Sequence, residues 1–350
     1  MGAILGILAT NPYLEVFRLS NVRFALYPEH DPIPAPISLD HLTQVTLMDI
    51  TQATEDPFSG SNVVIGYILQ RIRFRTGTAF TVRTKLKTNA SLTPEEFINV
   101  VPSPVEALAY LSLADGPQRA DVDVKFGGNG FLFRIQDGLQ SPSIVFSADV
   151  DGLPEQVAKE WVVESLRQAS TTPMDLRLYF TSNECGSEPS SISLEEIFHF
   201  QLWESVVDLT LTGNPQTPPD VGRDLLRLLS TPCMSEDGIM VMPFPKLQHL
   251  GISVVPGIKG KYMLAMVQAR FAPPGPTEAA SHSVVPVPLM LHCGNGVGAW
   301  GRSYQDKILA VPGVKGIKTG VSHPALRLAR SSSPTVSEPD WPPPYDFGRY

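Results

Sequence analysis

A short apolar pattern recurs along this chain and constrains its fold more than any other feature. Its first, fourth and sixth positions are apolar, as in the L-x-x-L-x-L strand of leucine-rich repeats. The pattern occupies residues 14–19, 42–47, 206–211 and 247–252. The second copy starts 28 residues after the first (42 minus 14), which lies inside the usual repeat period of about 20–29 residues. Each copy predicts a β-strand that buries its apolar residues on one face.

The segments between these copies carry alternating helical and strand-like patterns. Apolar spacing predicts helices at 3–10, 61–70, 94–111, 154–169, 221–229, 261–271 and 303–310, and further strands at 80–86, 122–126, 131–135, 144–150, 174–180, 287–292 and 314–317. An open, doubly wound α/β sheet is the alternative, but the strands of such a sheet are nearly continuous apolar runs. Here Arg18, Thr46, Arg177 and Thr210 stand between the apolar positions. The sequence therefore predicts an α/β fold in the form of an irregular leucine-rich-repeat-like solenoid, or horseshoe, with parallel strands, outer helices and one face open to water.

Two domains follow from this pattern. We expect the solenoid to span residues 1–320, and the Pro- and Ser-rich residues 321–350 to form a disordered tail. The first helix carries Ile4, Leu5, Ile7 and Leu8, whereas the terminal unit of a repeat protein normally has a polar outer face. An upstream cap or domain is therefore expected before Met1.

Composition excludes several functional classes. The formal charge of -8 argues against a nucleic-acid partner, which needs a basic footprint. No apolar run reaches the roughly 18–20 residues of a membrane span. The three cysteines, an odd number and widely spaced, indicate free thiols in a reducing compartment, the cytoplasm or the nucleus.

No motif predicts a catalytic residue, a cofactor site or a metal site. Residues 296–301 match G-x-G-x-x-G after an apolar strand, but no Asp or Glu lies about 20 residues further on, as a dinucleotide site requires. The seven histidines show no H-x-x-x-H spacing. Asp121 and Asp123 lack the further oxygen ligands of a calcium loop, and Cys293 points away from the neighbouring His292 on a strand. The glycine loop is read as a solenoid corner, and nucleotide binding is kept as an alternative.

Three segments carry a resemblance to a known family. Asn11-Pro12-Tyr13-Leu14-Glu15-Val16-Phe17-Arg18-Leu19 resembles the repeats of fungal F-box proteins with a leucine-rich-repeat-like region, as do residues 37–47 and 244–250. In that family an N-terminal F-box docks on the Skp adaptor of a cullin–RING ubiquitin ligase, and the repeats bind a substrate. No F-box precedes the first repeat here. The resemblance therefore implies a Skp-type adaptor as partner only if an upstream F-box exists.

The leading hypothesis is a non-enzymatic scaffold that binds a protein on the open sheet face, as the substrate-binding repeat region of an F-box-like ubiquitin-ligase adaptor. Polar or small residues between the apolar strand positions define that face. We predict partner binding at Arg18, Ser20, Thr46, Arg177, Tyr179, Thr210, Thr212 and His292. The alternatives are a nucleotide-binding enzyme that uses the 296–301 loop, or a truncated gene product without independent function.

Overall fold

The computed structural model describes the strands and several helices of the chain. The described residues are 2–25, 36–48, 51–53, 68, 71–74, 78–87, 119–127, 130–137, 143–151, 160, 162–167, 173–181, 194, 204–213, 217, 219–234, 240–271, 286–294 and 302–319. The predicted helices at 61–70 and 94–111, the glycine loop at 296–301 and the tail lie wholly or almost wholly outside this part of the chain.

Seventeen strands and four complete helices make up the described structure. The strands are β1 (Val16–Ser20), β2 (Arg23–Ala25), β3 (Ile37–Leu39), β4 (Gln44–Met48), β5 (Thr51–Ala53), β6 (Ile72–Phe74), β7 (Ala79–Lys87), β8 (Ala120–Gly127), β9 (Gly130–Asp137), β10 (Ser143–Asp151), β11 (Met174–Thr181), β12 (Val206–Thr212), β13 (Cys233–Met234), β14 (Met240–Val241), β15 (His249–Ser253), β16 (Leu289–Cys293) and β17 (Val314–Thr319). The helices are α1 (Gly2–Thr10), α2 (Pro219–Ser230), α3 (Gly260–Arg270) and α4 (Arg302–Leu309). Residues 162–167 are also helical.

Eleven of the strands form one large sheet in the order β1-β4-β7-β10-β9-β8-β11-β12-β15-β16-β17. Every neighbouring pair is parallel except the two pairs that contain β9. Smaller pairs flank the sheet: β2 with β5 and β3 with β6 are parallel, and β13 with β14 is antiparallel. The prediction of a parallel α/β sheet with helices is thus confirmed.

The middle of the sheet departs from a strictly parallel, unit-by-unit order. β8, β9 and β10 form an antiparallel meander whose strands appear in reverse chain order between β7 and β11. Only two residues separate β8 from β9, and Gly127 pairs with Gly130 across that connection. Such a short connection allows only antiparallel pairing, because a parallel neighbour needs a crossover of a dozen residues or more.

One face of the large sheet is apolar in two adjacent rows. Because side chains alternate between the faces of a strand, residues that pair in register line up across neighbouring strands. The first row contains Phe17, Val45, Ile135, Val122, Leu176, Leu209, Leu250, Leu291 and Ile317, and the second contains Leu19, Leu47, Val82, Phe133, Val124, Leu178, Leu211, Ile252 and Cys293. All of these except Leu19 and Ile317, on the two edge strands, are buried.

The helices supply the other side of this core. Leu225 and Leu229 of α2, Met263 and Val267 of α3, and Ile308 of α4 are all buried in the same apolar cluster. The helices pack in sequence, α2 against α3 and α3 against α4. Among the described residues no helix is long and apolar enough to cross a membrane.

An arginine lies inside this apolar layer. Arg270, the last residue of α3, is 2% exposed. Its Nη1 donates to the carbonyl oxygen of Pro243 at 2.7 Å, and its Nη2 donates to that of Phe244. Burial lowers the pKa of Arg270 to about 10, so the group stays charged at neutral pH. Its hydrogen bonds hold the turn that precedes β15, where Phe244 has a φ of 54°.

Candidate functional site

The opposite face of the sheet carries a continuous row of mainly polar residues, here called the polar row. Its members occupy one register position on successive strands: Arg18, Thr46, Thr81, Arg134, Asp123, Arg177, Thr210, Gly251, His292 and Lys318, with Val145 at the corresponding position of β10. These residues directly precede or follow the apolar ones in each strand. The polar row therefore results from the same alternation that builds the core.

Arg177 ties the centre of the polar row together. Its Nη1 donates to Asp123 Oδ1 at 2.9 Å, and its Nη2 donates to Asp121 Oδ1 at 2.6 Å. The side chains are only 14% exposed for Arg177, 13% for Asp121 and 9% for Asp123. Little water reaches these charges, so each depends on the others for its stabilisation.

A second ionic group lies on the same face, two residues before the polar row in each strand, where β8, β11, β12 and β15 carry Asp121, Asp175, Asp208 and His249 in a line. Arg119 Nε donates to Asp175, and Arg119 Nη2 lies 2.8 Å from Asp208 Oδ2. Asp208 Oδ1 also lies 2.5 Å from His249 Nδ1. The side chains of Arg119 and His249 are each 39% exposed, against 14% for Asp208. The carboxylates of this group are less exposed than its arginine and imidazole, at 25% for Asp175 and 14% for Asp208.

Burial and crowding change the acidity of these groups. The pKa of Asp175 is raised to about 6, first by burial and then by the negative charge of Asp208, although Arg119 acts in the opposite direction. Burial also raises the pKa of Asp123, even though Arg177 and Arg134 favour its charged form. The pKa of Tyr179 is raised to about 12 by burial and by Asp123, and burial lowers that of Lys125. Asp175 is thus a group that changes charge close to neutral pH.

Two histidines continue the site towards β16. His249 and His292 meet edge to face, with 5.7 Å between the ring centroids and 70° between the ring planes. His292 is buried, whereas its neighbour Cys293 faces the apolar core. Burial raises the pKa of Cys293 to about 12, so this thiol is protonated at neutral pH and is a poor nucleophile.

The structure brings the eight predicted binding residues onto one face but exposes them unequally. Arg18 and Ser20 are exposed, Arg177, Tyr179 and Thr212 are half-buried, and Thr46, Thr210 and His292 are buried. Five of them belong to the polar row. The other three, Ser20 on β1, Tyr179 on β11 and Thr212 on β12, lie two residues further along their strands, and Tyr179 pairs with Thr212. Whether they bind a protein stays a prediction.

Sequence reasoning missed the ionic partners that surround Arg177. Arg119, Asp175 and Asp208 were not recognised, and Asp121 and Asp123 were considered as calcium ligands and rejected. Their alternation with apolar residues in β8, β11 and β12 does place them on the polar face. Which acid meets which arginine depends on the register of strands about 50 residues apart, and no local pattern contains that information.

The described residues do not form a metal site, and they do not include the loop proposed for nucleotide binding. In this part of the chain no three His, Cys, Asp or Glu side chains come together to hold a metal ion. The glycine loop at 296–301 lies outside the described residues, so the structure does not bear on nucleotide binding there.

The chain matches no protein-family model, no curated protein and no solved structure. A function is therefore inferred from the polar face and from the sequence.

Proposed function

We propose that this chain is a non-enzymatic scaffold that binds a protein partner on the polar face of its large sheet. The observation that carries the proposal is the polar row, which crosses the sheet from β1 to β17 while the other face is apolar. Arg18 and Lys318 at the two edges of this face are exposed and Arg177 at its centre is half-buried, whereas Thr46, Thr210 and His292 are buried. Such a surface suits recognition of another protein better than chemistry on a small molecule, which uses a concave pocket.

The finer fold proposed here is an irregular leucine-rich-repeat-like solenoid. The small parallel pairs support it, because equivalent short strands of successive units lie side by side. β2 and β5 follow β1 and β4, respectively, whereas β3 and β6 precede β4 and β7. Repetition of one unit on the next is the defining property of a solenoid. The meander of β8, β9 and β10 is then an insertion between two runs of units.

The resemblance to fungal F-box proteins makes the proposal more specific. We assign the chain to the substrate-binding repeat region of an F-box-like ubiquitin-ligase adaptor that acts in the cytoplasm or the nucleus. A Skp-type adaptor binds the F-box and not the repeats in that family. The purified Skp-type adaptor should therefore not bind residues 1–350, whereas it should bind a longer protein that carries an F-box before the first repeat.

One exposed and one half-buried position on the polar face provide the test. Arg18→Glu reverses a charge at an exposed position whose side chain contacts Gln44 at 3.0 Å. Thr212→Arg adds bulk to the half-buried centre of the face. Lys261→Glu, on the exposed side of α3, is the matched control for charge reversal. Reversal at Arg177 is unsuitable, because it would place a third carboxylate beside Asp121 and Asp123.

The measurement is quantitative recovery of bound proteins on the immobilised chain, with circular dichroism to show that each variant is folded. We expect Arg18→Glu or Thr212→Arg to lower recovery of a specific partner by about tenfold, which corresponds to about 1.4 kcal/mol, and Lys261→Glu to leave it unchanged. Equal recovery by all four proteins would argue against this face. A rise of several degrees in melting temperature with NAD, NADP or ATP would instead favour the nucleotide-binding enzyme.

A further inference from the structure

Charge is distributed unevenly along this chain. Residues 1–239 carry 16 Lys and Arg against 30 Asp and Glu, a formal charge of -14 (16 minus 30). Residues 240–350 carry 11 against 5, a formal charge of +6 (11 minus 5). The boundary falls at β14, so β15, α3, β16, α4 and β17 all belong to the basic part. An acidic chain therefore has one basic region, at the β15–β17 side of its large sheet.

The basic side chains of this region are exposed and unpaired. Arg270 is buried, and the other seven in its described part are exposed: Lys246, Lys259, Lys261, Arg302, Lys307, Lys315 and Lys318. None of these seven forms an ion pair with a described residue. In the acidic part, by contrast, Arg119, Arg167, Arg177 and Arg223 each pair with an aspartate or glutamate. The positive charges of the basic region are thus not balanced by the described structure.

Four of the seven cations lie at one edge of the sheet. β15, β16 and β17 are parallel neighbours, so their carboxyl ends share an edge. α3 follows β15 and α4 follows β16, and the two helices pack against each other, so their first turns are neighbours at that edge. The basic edge, as it is called here, consists of Lys259 and Lys261 at the start of α3, Arg302 at the start of α4 and Lys318 near the end of β17.

The basic edge has no carboxylate of its own among the described residues. In the described part of the basic region the one acidic residue is Asp306, in the second turn of α4. α2 shows the usual arrangement, with Asp220 in its first turn, because a carboxylate is favourable beside the positive end of a helix dipole. The first turns of α3 and α4 contain no acid and carry lysine or arginine instead. The resulting positive potential favours an anionic partner.

The neighbouring sequence does not supply the complementary charge. Residues 320–350, which follow β17, contain three Arg and three Asp or Glu, so their formal charge is zero (3 minus 3). Between residues 271 and 302, Glu278 is the single acidic residue of the sequence. Negative charge that matches the basic edge must therefore come from outside this part of the chain.

We propose that the basic edge binds an acidic segment of another protein, rich in Asp and Glu. The three strands span roughly 10 Å at about 4.8 Å per strand, and an extended segment of about five residues, at about 3.3 Å per residue, is long enough to cover them. Carboxylates at alternate positions of such a segment would meet the four cations. This surface goes beyond the partner binding proposed for the polar face, with which it shares only Lys318.

A short acidic segment fits this surface better than a nucleic acid or an anionic membrane. A nucleic-acid duplex carries roughly one negative charge per 1.7 Å of its axis. It would extend from the basic edge towards the part of the molecule that has a formal charge of -14, where it would be repelled. A membrane surface would face the same acidic part, whereas a segment of a few residues needs to contact only the cations.

Fluorescence anisotropy of a labelled synthetic peptide tests the proposal. The peptide carries four Glu separated by Ser, and a counterpart with Gln in place of Glu shows whether binding requires charge. Lys259→Glu combined with Arg302→Glu reverses the basic edge and leaves Lys318 of the polar row intact. Lys307→Glu combined with Lys315→Glu is the matched control. These two residues are exposed cations of the same region that lie towards the opposite edge, and their reversal changes the net charge equally.

We expect the wild-type chain to bind the Glu peptide but not the Gln peptide, and salt to weaken the binding as the ionic strength rises from about 0.01 M to about 1 M. Reversal of the basic edge should weaken it by about tenfold or more, and the control by less than about threefold. The melting temperature of the basic-edge variant should stay constant or rise, because its new carboxylates lie at helix N-termini. A loss of binding would then not be a loss of folding.

Several results would overturn the proposal. One is a wild-type chain that does not bind the Glu peptide, and another is an equal loss of affinity in both double variants, which would reflect net charge alone. If the wild type does not bind and the basic-edge variant also melts several degrees lower, an acidic stretch of the same chain occupies the edge. Tighter binding of a single-stranded oligonucleotide or of phosphatidylserine vesicles, lost in the basic-edge variant, would assign the edge to a nucleic acid or a membrane instead.

Discussion

On one face of the large sheet, neighbouring strands bring together leucine, valine and isoleucine; on the other, the same strands bring together arginine, aspartate and histidine. The apolar rows gain stability in proportion to the area they bury, whatever their exact neighbours are. The ionic groups gain stability only when each charge meets its partner, because a buried charge without one is costly. The two faces of one sheet therefore differ in how they should respond to substitution.

The largest effect is expected at Arg177. Arg177→Met leaves Asp121 and Asp123 without the guanidinium that they share, and removal of one partner from a buried ion pair costs about 3–5 kcal/mol. Urea unfolding of the two proteins measures the difference. Arg167→Met breaks the exposed pair with Glu164 and should leave the urea midpoint nearly unchanged.

Additional substitutions show whether the Arg177 effect is one of charge. Arg177→Met combined with Asp121→Asn and Asp123→Asn should recover part of the lost stability, because the two carboxylates that Arg177 balances are then neutral. If the triple variant is less stable than Arg177→Met alone, Arg177 acts mainly through packing. The polar face would then not depend on charge pairing, and the difference from the apolar face would be lost.

The next effect is expected on the apolar face. Leu209 is 0% exposed, and Leu209→Ala should cost about 2–5 kcal/mol through lost burial and the cavity that remains. Leu309→Ala, at an exposed position, is the matched control and should change the free energy of unfolding by less than about 0.5 kcal/mol. Urea or thermal unfolding is again the measurement.

Double substitutions distinguish the two faces more sharply than single ones, because the stability losses should add on the apolar face but not on the polar face. β4 and β12 lie six strands apart in the sheet, about 29 Å at about 4.8 Å per strand. Leu47→Ala and Leu209→Ala should therefore add within about 0.5 kcal/mol. Arg177→Met and Asp123→Asn should not add, because the two side chains share a hydrogen bond. Additive losses on both faces would remove the distinction drawn here.

A pH-dependent effect is expected at Asp175. Its pKa is raised from 3.8 to about 6 by burial and by Asp208, so the folded state binds its proton more tightly than the unfolded state does. The stability that this proton contributes is complete below about pH 4 and is lost as the pH rises through about 6. Asp175→Asn, which stays neutral, should therefore gain stability relative to wild type as the pH rises from about 4 to about 7.

The pH comparison is made as the difference between variant and wild type, so that other titrating groups cancel. In a background of Asp208→Asn the gain should be smaller, because Asp208 is the second cause of the raised pKa after burial. A difference that stays constant from about pH 4 to about pH 8 would show that Asp175 does not titrate in this window.

The same contrast explains how far the sequence could predict this molecule. Apolar alternation lies within single strands, so it locates the strands and the buried residues, such as Leu47 and Leu211, without knowledge of the fold. The pairing of Arg177 with Asp121 and Asp123 spans more than 50 residues and depends on the reversed order of β8, β9 and β10. A local signal for that meander was present and was missed: Gly127-Gly128-Asn129-Gly130 is typical of a hairpin turn.

The smallest effect is expected at Thr46, where a substitution should raise the free energy of unfolding rather than lower it. Thr46 is 3% exposed on the polar row, and its hydroxyl has no hydrogen-bond partner among the described residues. Thr46→Val keeps the shape and should stabilise the fold by about 1 kcal/mol, because a buried unsatisfied polar group costs about 1–3 kcal/mol. Thr78 is the matched control: it is also buried, but it donates to the carbonyl oxygen of Leu42 at 2.7 Å, so Thr78→Val should destabilise by about 1 kcal/mol. Chemical unfolding of both variants is the measurement, and a loss of stability from Thr46→Val would contradict the prediction.

If Thr46→Val is more stable yet recovers less of the bound partner, the unsatisfied hydroxyl belongs to the binding surface, where function commonly costs stability.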